Sequence, residues 1–579
     1  MSKPDIITAE VIRNGIIAAA LEMGTTLIRT AYNPLLYDVQ DYGLAIVSPD
    51  CETWAEAPGM TVFVGALPHT VSSGIAKHGK NGFAEGDVII ANDPYTTGNH
   101  ISDVSIYMPV FYEGKLLAFT ASVAHWADIA GKTPGGWCPD STDVYQEGIC
   151  YAHEKVISAG EKIEGLWGII RSNTRYPDIV IGDMQAQIAS CRQGAERLQN
   201  LCSKYGFEIV RDSMKFAIQS TDKDTRRHIR DIPNGTYEAT QMMDHDGVVL
   251  NEPFPIAIQV RVEEEEIFVS FEGTSAVRSG PVNAPEYSVR SVVRAAIKGI
   301  ISPTEPSNEG DFLAIHFDIP SGLVISPERP APVDSYGYVD NACYELAVRA
   351  LAQAVPERCT ASGATLCMPT ISRFDPRQGK PFILSDPFDV GNGARPNADG
   401  PTMAINVMGD VPNSPVEIVE MRYPLRVERF ALRTDSSGHG RYRGGAGTNR
   451  DYRVLEEGIT LFSALENTRE TIAVGADNGG DGGPAQVVIN AGDKDEMVLN
   501  DRGAFPGKLK TGDVISMRSG GGGGWGESST REPEQVLADV RDERISAEEA
   551  NDIYKVAIDT SGTRPVLDTK QTDILRSNN

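Results

Sequence analysis

The sequence predicts a multidomain protein of mixed α/β and α+β class, with an N-terminal α/β unit, a central mixed α+β domain, and a β-rich C-terminal domain that ends in helices. Three observations predict it. The chain has 579 residues, several times the ~100 to 200 residues of a single domain. Its first 225 residues alternate helical apolar spacing with short β-like runs. From residue 381 onward the composition shifts to glycine, proline and short β-like stretches.

In chain order, Ile7, Val11, Ile12, Ile16, Ala20, Leu21, Leu27 and Ile28 recur at helical intervals, so residues 6–32 are expected to form a long amphipathic helix. Strands are expected at 43–48, 87–91 and 116–123, separated by the turn-rich NDPYTTGNH and AGKTPGGW. A second long helix is expected over 177–205, with Gly206 as its C-cap. These elements make up a domain over 1–225. Alternation from Thr236 to Glu272 predicts antiparallel strands, and helices return at 288–301 and 338–354, which gives a mixed domain over 226–380. The β-rich domain spans 381–530 and contains five consecutive glycines, Gly520 to Gly524. Residues 531–579 form a helical C-terminal segment, with helices expected at 532–540 and 546–554 and a loose or partner-docked tail over the last fifteen or so residues.

Composition narrows the function. The chain is 41% hydrophobic and 23% charged, and no apolar run approaches the ~18 residues of a membrane span. A net charge of -27 opposes the basic footprint that nucleic acid or an anionic membrane requires. The N-terminus lacks a basic segment followed by an apolar one, so a cytoplasmic protein is expected. Eight cysteines (Cys51, Cys138, Cys150, Cys191, Cys202, Cys343, Cys359 and Cys367) are irregularly spaced without a CxxC pair, and read as reduced thiols.

One region concentrates polar residues: Asp38 and Asp41 in LLYDVQDYG, Asn92 and Asp93 in ANDPY, His100 and Asp103 in GNHISD, and His125 and Asp128 in AHWAD. Two of these pairs have the form H-x-x-D. In a helical turn or a tight loop that spacing lets an imidazole and a carboxylate converge, and a mixed N/O set suits Zn, Mn or Fe. The same residues also read as a polar, hydrogen-bonded core.

The stretch ANDPYTTGNHISDVSIYMPVF, then AHWADIAGKTPGG and YQEGI, resembles the signature of the hydantoinase B/oxoprolinase family, which is related to ketone carboxylase subunits. Similar matches run on through RSNTRYPDIVIGDMQAQIASCRQG, GPVNAPEYSVRSVV, VEIVEMRYPLRVERFALR and GGGGGWGESSTREPEQVLADVRDERISAEEA, over nearly the whole chain. The resemblance implies a metal-binding catalytic N-terminal unit with Asp41, His100, Asp103 and His125 as ligands. Asp38 and Asp128 are then neighbours orienting the ligands, and Glu147 in YQEG is a general acid or base. Phe63, Trp126 and Ala130 depart from the family pattern, where histidine, histidine and glycine are common, and are expected to shape the substrate pocket.

The sequence has no G-x-x-x-x-G-K-[ST] loop, no G-x-S-x-G elbow and no H-E-x-x-H helix. Gly521, Gly523 and Gly526 fit G-x-G-x-x-G trivially, and a turn or a backbone surface packed on a partner is the better reading. ATP and Mg are therefore expected on a partner, which the resemblance implies is a hydantoinase A-like ATP-binding subunit, in a heterotetramer. That partner would phosphorylate the carbonyl oxygen of a cyclic amide such as hydantoin, N-methylhydantoin, oxoproline or a lactam. This chain would hydrolyse the activated intermediate. Two other readings stand beside this one: a ketone carboxylase subunit, in which bicarbonate takes part, and a non-catalytic scaffold for the ATP-binding subunit.

Overall fold

The structure is a computed structural model, and it describes residues 5–365, 368–375, 380–385, 389–405, 412–465, 473–499, 503–504 and 507–577. Cys367 lies outside the described residues, and the other seven cysteines are free. The chain forms two compact units that interleave in sequence. The first comprises 1–238, 257–347 and 408–412, and the second 239–256, 348–407 and 413–579.

The first unit is built on a seven-stranded sheet of β1 (Tyr42–Val47), β2 (Thr53–Ala57), β3 (Val88–Ala91), β4 (Asp103–Tyr112), β5 (Lys115–His125), β6 (Glu154–Ser158) and β7 (Glu161–Lys162). The strand order is β2-β1-β5-β4-β3-β6-β7, and every pairing is antiparallel. The Ile6–Thr30 helix packs against the Pro177–Tyr205 helix, which lies on β4 and β5. Alternate side chains explain how both faces are covered. Val104, Ile106 and Met108 join a core with Ile12, Ile16, Met23, Met184 and Leu198, while Tyr107 between them points at Gly74 of the Leu67–His78 helix.

Both long helices stand where apolar periodicity places them, and Gly206 caps the second with φ 87° and its N–H on the Cys202 carbonyl. The chain then turns directly into a further helix, Phe207–Ile229. That helix is mostly polar, with buried residues only at positions such as Val210, Met214 and Ile218, so its periodicity is weak in the sequence. A smaller sheet pairs Glu266–Ser270 antiparallel with 259–263 and parallel with Ile315–Asp318.

The second unit carries two antiparallel sheets. One runs Leu425–Leu432, Thr448–Val454, Val514–Arg518, Gln486–Ile489, Met497–Leu499, and the other Lys380–Ser385, Met368–Asp375, Thr460–Ala464, Gly503–Ala504. Beside them the glycine run forms a buried axis of extended chain. Gly521 and Gly524 donate to the carbonyls of Gly483 and Gly480 in one neighbouring segment, Gly522 to Gly445 and Gly523 to Ser362. The carbonyls of Gly520 and Gly523 accept from Gly391 and Ala394 in a fourth segment. The return to the same neighbour every third residue is the signature of a polyproline II-type helix, and only glycine fits such a crowded axis. The run therefore packs on this chain's own backbone and forms no turn.

Helices at Pro533–Arg541 and Ala547–Asp552 follow as expected. Asp539 on the first receives Arg443 Nε at 2.9 Å and Arg531 Nε at 3.0 Å, and Arg531 grips Asp399 with both terminal nitrogens at 2.7 and 2.8 Å. The last residues, expected to be a loose or partner-docked tail, form a hairpin of Ile558–Asp559 with Val566–Leu567 and a Thr569–Ser577 helix that buries Thr572, so the segment is not loose. Among the described residues no helix is long and apolar enough to cross a membrane.

Candidate metal centre

The site lies where β1, β5 and β4 end side by side. Asp103 opens β4 directly opposite His125, the last residue of β5. The backbone N–H of His125 donates to the Asp41 carbonyl at 3.2 Å, just before β1. Antiparallel register thus brings Asp41, Asp103 and His125 to one edge, although they are far apart in sequence.

His100 reaches the same point through a loop that the sequence specifies closely. Asn92 is fully buried; its Nδ2 donates to the carbonyls of Ile101 at 2.8 Å and Ile149 at 2.9 Å, and its Oδ1 accepts from Tyr151 N. Asp93 caps the one-turn helix Pro94–Thr97. Gly98 ends it at φ 85°, where a Cβ would meet the Tyr287 Cβ at 2.8 Å, so glycine is required. Asp103 N then donates to the His100 carbonyl at 3.0 Å, closing the tight turn that makes the first H-x-x-D pair converge.

Asp103 Oδ1 lies 3.1 Å from both His100 Nε2 and His125 Nδ1. One ligand atom from each of the three residues falls within 4.8 Å of the others, and all three residues are buried. Asp41, the fourth expected ligand, is not part of that converging group, but its Oδ1 is fully buried and has no hydrogen-bond partner among the described residues. Two imidazoles, a carboxylate and an unsatisfied carboxylate oxygen are a donor set that fits Zn, Mn or Fe.

Electrostatics support the same fit. Burial pushes the Asp41 carboxyl up to about 6, with the Asp103 charge adding to the rise and His125 and His100 opposing it. Burial would lower His100, but the carboxylates of Asp103 and Asp334 outweigh it and lift the imidazole to about 10. Burial raises and His100 more than reverses the shift at Asp103, which is held at about 2. A proton on His100 would offset the Asp103 charge, and a divalent cation bound there has to displace it.

The surroundings include residues that the sequence did not reveal. Tyr336 Oη donates to Asp103 Oδ2 at 3.1 Å, and burial keeps this phenol protonated. Asp334 Oδ1 stands 3.9 Å from His100 Nδ1. Trp137 stacks on the His125 ring at 5.5 Å between centroids. Asp334 and Tyr336 lie in PAPVDSYGY, a proline-containing loop that leads into the Gly337–Leu351 helix. Polar and aromatic residues in such a loop are the signal that could have found them.

The remaining sequence candidates take other places. Glu147 is buried; its Oε1 accepts from Ser141 Oγ at 2.7 Å, Val333 N at 2.9 Å and Asp334 N at 3.1 Å. It therefore clamps the segment that carries Asp334 and Tyr336. Asp128 does not converge with His125 as Asp103 does with His100: its oxygens accept from Arg175 Nη1 at 2.6 Å and Arg175 N at 2.8 Å. Asp38 ends the one-turn helix Pro34–Tyr37. Of the three departures, Trp126 is fully buried and donates to Gln187 at 2.9 Å, and Phe63 is also buried. Ala130 holds φ 63°, a conformation that glycine adopts more easily.

A family model described as hydantoinase B/oxoprolinase matches residues 5–528. The chain belongs to the hydantoinase B/oxoprolinase family. Within it, the chain is 30% identical to a putative D-/L-hydantoinase B subunit from a Pseudomonas species, over all of this chain and 98% of that protein. It is also 30% identical to the beta subunit of the caprolactamase of Pseudomonas jessenii, over 97% of this chain and 98% of that one. It shares 26% identity with 5-oxoprolinase 1 of Arabidopsis thaliana, covering 90% of this chain but 42% of the longer relative. The crystal structure of the ATP-dependent caprolactamase from P. jessenii superimposes with a TM-score of 0.91 at 28% identity, with both chains fully covered. Acetone carboxylase shares the fold, with a TM-score of 0.88 at 17% identity over 99% of this chain and 83% of that one.

Proposed function

We propose that this family member is the metal-dependent subunit of an ATP-dependent cyclic-amide hydrolase acting in the cytoplasm. The observation that carries the reading is the buried His100–Asp103–His125 cluster with the unsatisfied Asp41 oxygen beside it. It is supported by full-length similarity to proteins named as the B subunit of a hydantoinase and the beta subunit of a caprolactamase.

Asp41, His100, Asp103 and His125 would hold the cation. When bound, it lowers the pKa of a coordinated water to about 7 and so supplies a nucleophile near neutral pH. The chain's own residues do the positioning. Tyr336 fixes the second oxygen of Asp103, and Asp334 orients His100 from its far side. Glu147 holds that pair in place through the backbone amides of Val333 and Asp334. Asp128 anchors its loop to Arg175. Trp137 covers His125 and limits access of bulk water.

The chain would work with a hydantoinase A-like partner that binds ATP and Mg and phosphorylates the amide oxygen, in a heterotetramer. The carbon of the O-phosphorylated species has lost amide resonance and is a better electrophile than the carbon of the amide. The test is ATP consumption and ring opening of hydantoin, oxoproline and caprolactam by the co-purified pair, wild type against His100→Ala. Ring opening that needs both proteins and is lost in the variant is expected. ATP use only when a ketone and bicarbonate are supplied would replace this reading with a carboxylase.

A further inference from the structure

The first unit contains a cleft of about 510 Å³ that none of Asp41, His100, Asp103 and His125 lines. Its apolar walls come from Ile17 and Leu21 of the Ile6–Thr30 helix, with Val64 and Phe312. Ser291, Arg294 and Lys298 line it from one face of the Glu286–Ile301 helix, as their spacing requires.

These polar groups differ in how fully they are used. Ser291 Oγ donates to the Thr61 carbonyl at 2.8 Å, and Lys298 is tied to Asp311 Oδ1 at 2.9 Å. Arg294 is not tied in this way. Its nearest acid, Glu309, stands 3.9 Å away, and its guanidinium rests on the Phe312 ring at 5.1 Å. Its Nε is buried with no hydrogen-bond partner among the described residues, and so is Ser307 Oγ in the same wall. Glu56 on β2 lines the cleft too, and its carboxyl makes no hydrogen bond among the described residues. Burying polar groups without partners is unfavourable, and natural proteins seldom leave it uncompensated.

We propose that this cleft is a second small-molecule site that takes an aliphatic amino acid. The carboxylate pairs with Arg294 and Ser307, the N–H end meets Glu56, and the methylene body lies along Ile17, Leu21 and Phe312. A guanidinium with an unmet N–H and only a long ion pair to Glu309 suits a single carboxylate, and Glu56 disfavours a multiply charged anion such as phosphate. Burial pushes the Glu56 carboxyl up to about 7, helped by Asp311 and Glu309 and only partly opposed by Lys298 and Arg294, and a ligand cation beside it would relieve the rest. Binding at this cleft does not depend on the function proposed above. Under that function a lactam opens to an aliphatic amino acid, whereas hydantoin opens to an N-carbamoyl amino acid without a free amine, so with a lactam substrate the cleft would sense the enzyme's own product class.

Calorimetric titration of the full chain with 6-aminohexanoate, hexanoate and hexylamine tests this. The amino acid should bind best, with one equivalent per chain. Arg294→Gln should weaken both carboxylate probes by about tenfold or more, and Arg294→Lys by less, at unchanged thermal midpoints. Glu56→Gln should remove the preference for 6-aminohexanoate over hexanoate, and His100→Ala should leave binding intact. No binding by the wild type, binding unchanged in Arg294→Gln, or binding lost in His100→Ala would each overturn the proposal. The last outcome would place the ligand at the metal centre.

Discussion

Glu147 is held by three hydrogen bonds to its Oε1, from Ser141 and the amides of Val333 and Asp334. Replacing it with alanine leaves those buried donors unmet, at about 1–3 kcal/mol each. Glutamine keeps an acceptor. Glu147→Gln should therefore keep most of the wild-type turnover, while Glu147→Ala should melt several degrees lower and lose activity. Loss of turnover in the glutamine variant at an unchanged melting temperature would assign proton transfer to Glu147 instead. An ordinary glutamate releases its proton near 4.5, whereas burial and the Asp334 charge push Glu147 up to about 8. Between these values the folded chain keeps a proton that the unfolded chain has lost. The contribution is thus fully present below about 4.5 and disappears as pH rises through 8. Thermal melts across that range should show the fall in the wild type and a flatter profile in Glu147→Gln. Tyr336→Phe removes the donor to Asp103 Oδ2 and should weaken metal affinity by about tenfold or more, measured by competition with a chelating dye. At this scale the sequence revealed the residues that carry local patterns. His100 and Asp103 stand three apart, and their tight turn needs only a short motif. Asp334 and Tyr336 come more than two hundred residues later, and nothing local ties them to that motif.

At the scale of elements, the two long helices were legible because each buries a regular apolar face, and β1, β3 and β5 as short apolar runs, whereas β4, which carries Asp103 in the middle of the sheet, was not expected. The Phe207–Ile229 helix was not, since most of its surface is polar. The glycine run illustrates a different limit. With no side chains there is no periodicity to read, and its role emerges only from the carbonyls that crowd it. A Cβ on Gly521 would collide with the Ser436 carbonyl, and one on Gly522 with that of Asn392. Gly522→Ala should consequently abolish soluble expression or the folding transition of the second unit. Gly168 provides the contrast: it lies exposed in the Glu164–Ser172 helix with nothing within 4 Å of an added Cβ. Gly168→Ala should raise stability by about 0.5–1 kcal/mol, read from denaturant unfolding. If Gly522→Ala folds as the wild type does, the axis is not what holds that unit together.

For the whole molecule, the mixed, multidomain class follows from length and from the change in pattern along the chain, whereas the way the compact units interleave does not. Segment 257–347 returns to the first unit after an excursion through 239–256. Composition cannot mark such a boundary, because both sides are ordinary folded sequence. That return brings Asp334 and Tyr336 to the strand ends where His100, Asp103 and His125 stand. The site thus depends on the complete first unit and not on its N-terminal motifs alone. Metal removal should consequently lower the melting temperature of the whole chain, by mass action on the folded state, and added divalent cation should restore it. The most direct measurement is the metal content of the purified wild type beside His100→Ala and Asp103→Asn, by mass spectrometry of the acid-digested protein. About one equivalent of a transition metal is expected in the wild type, with a large loss in both variants. Equal metal content in all three, or none above background in a wild type that opens cyclic amides with its partner, would contradict a metal centre at these strand ends.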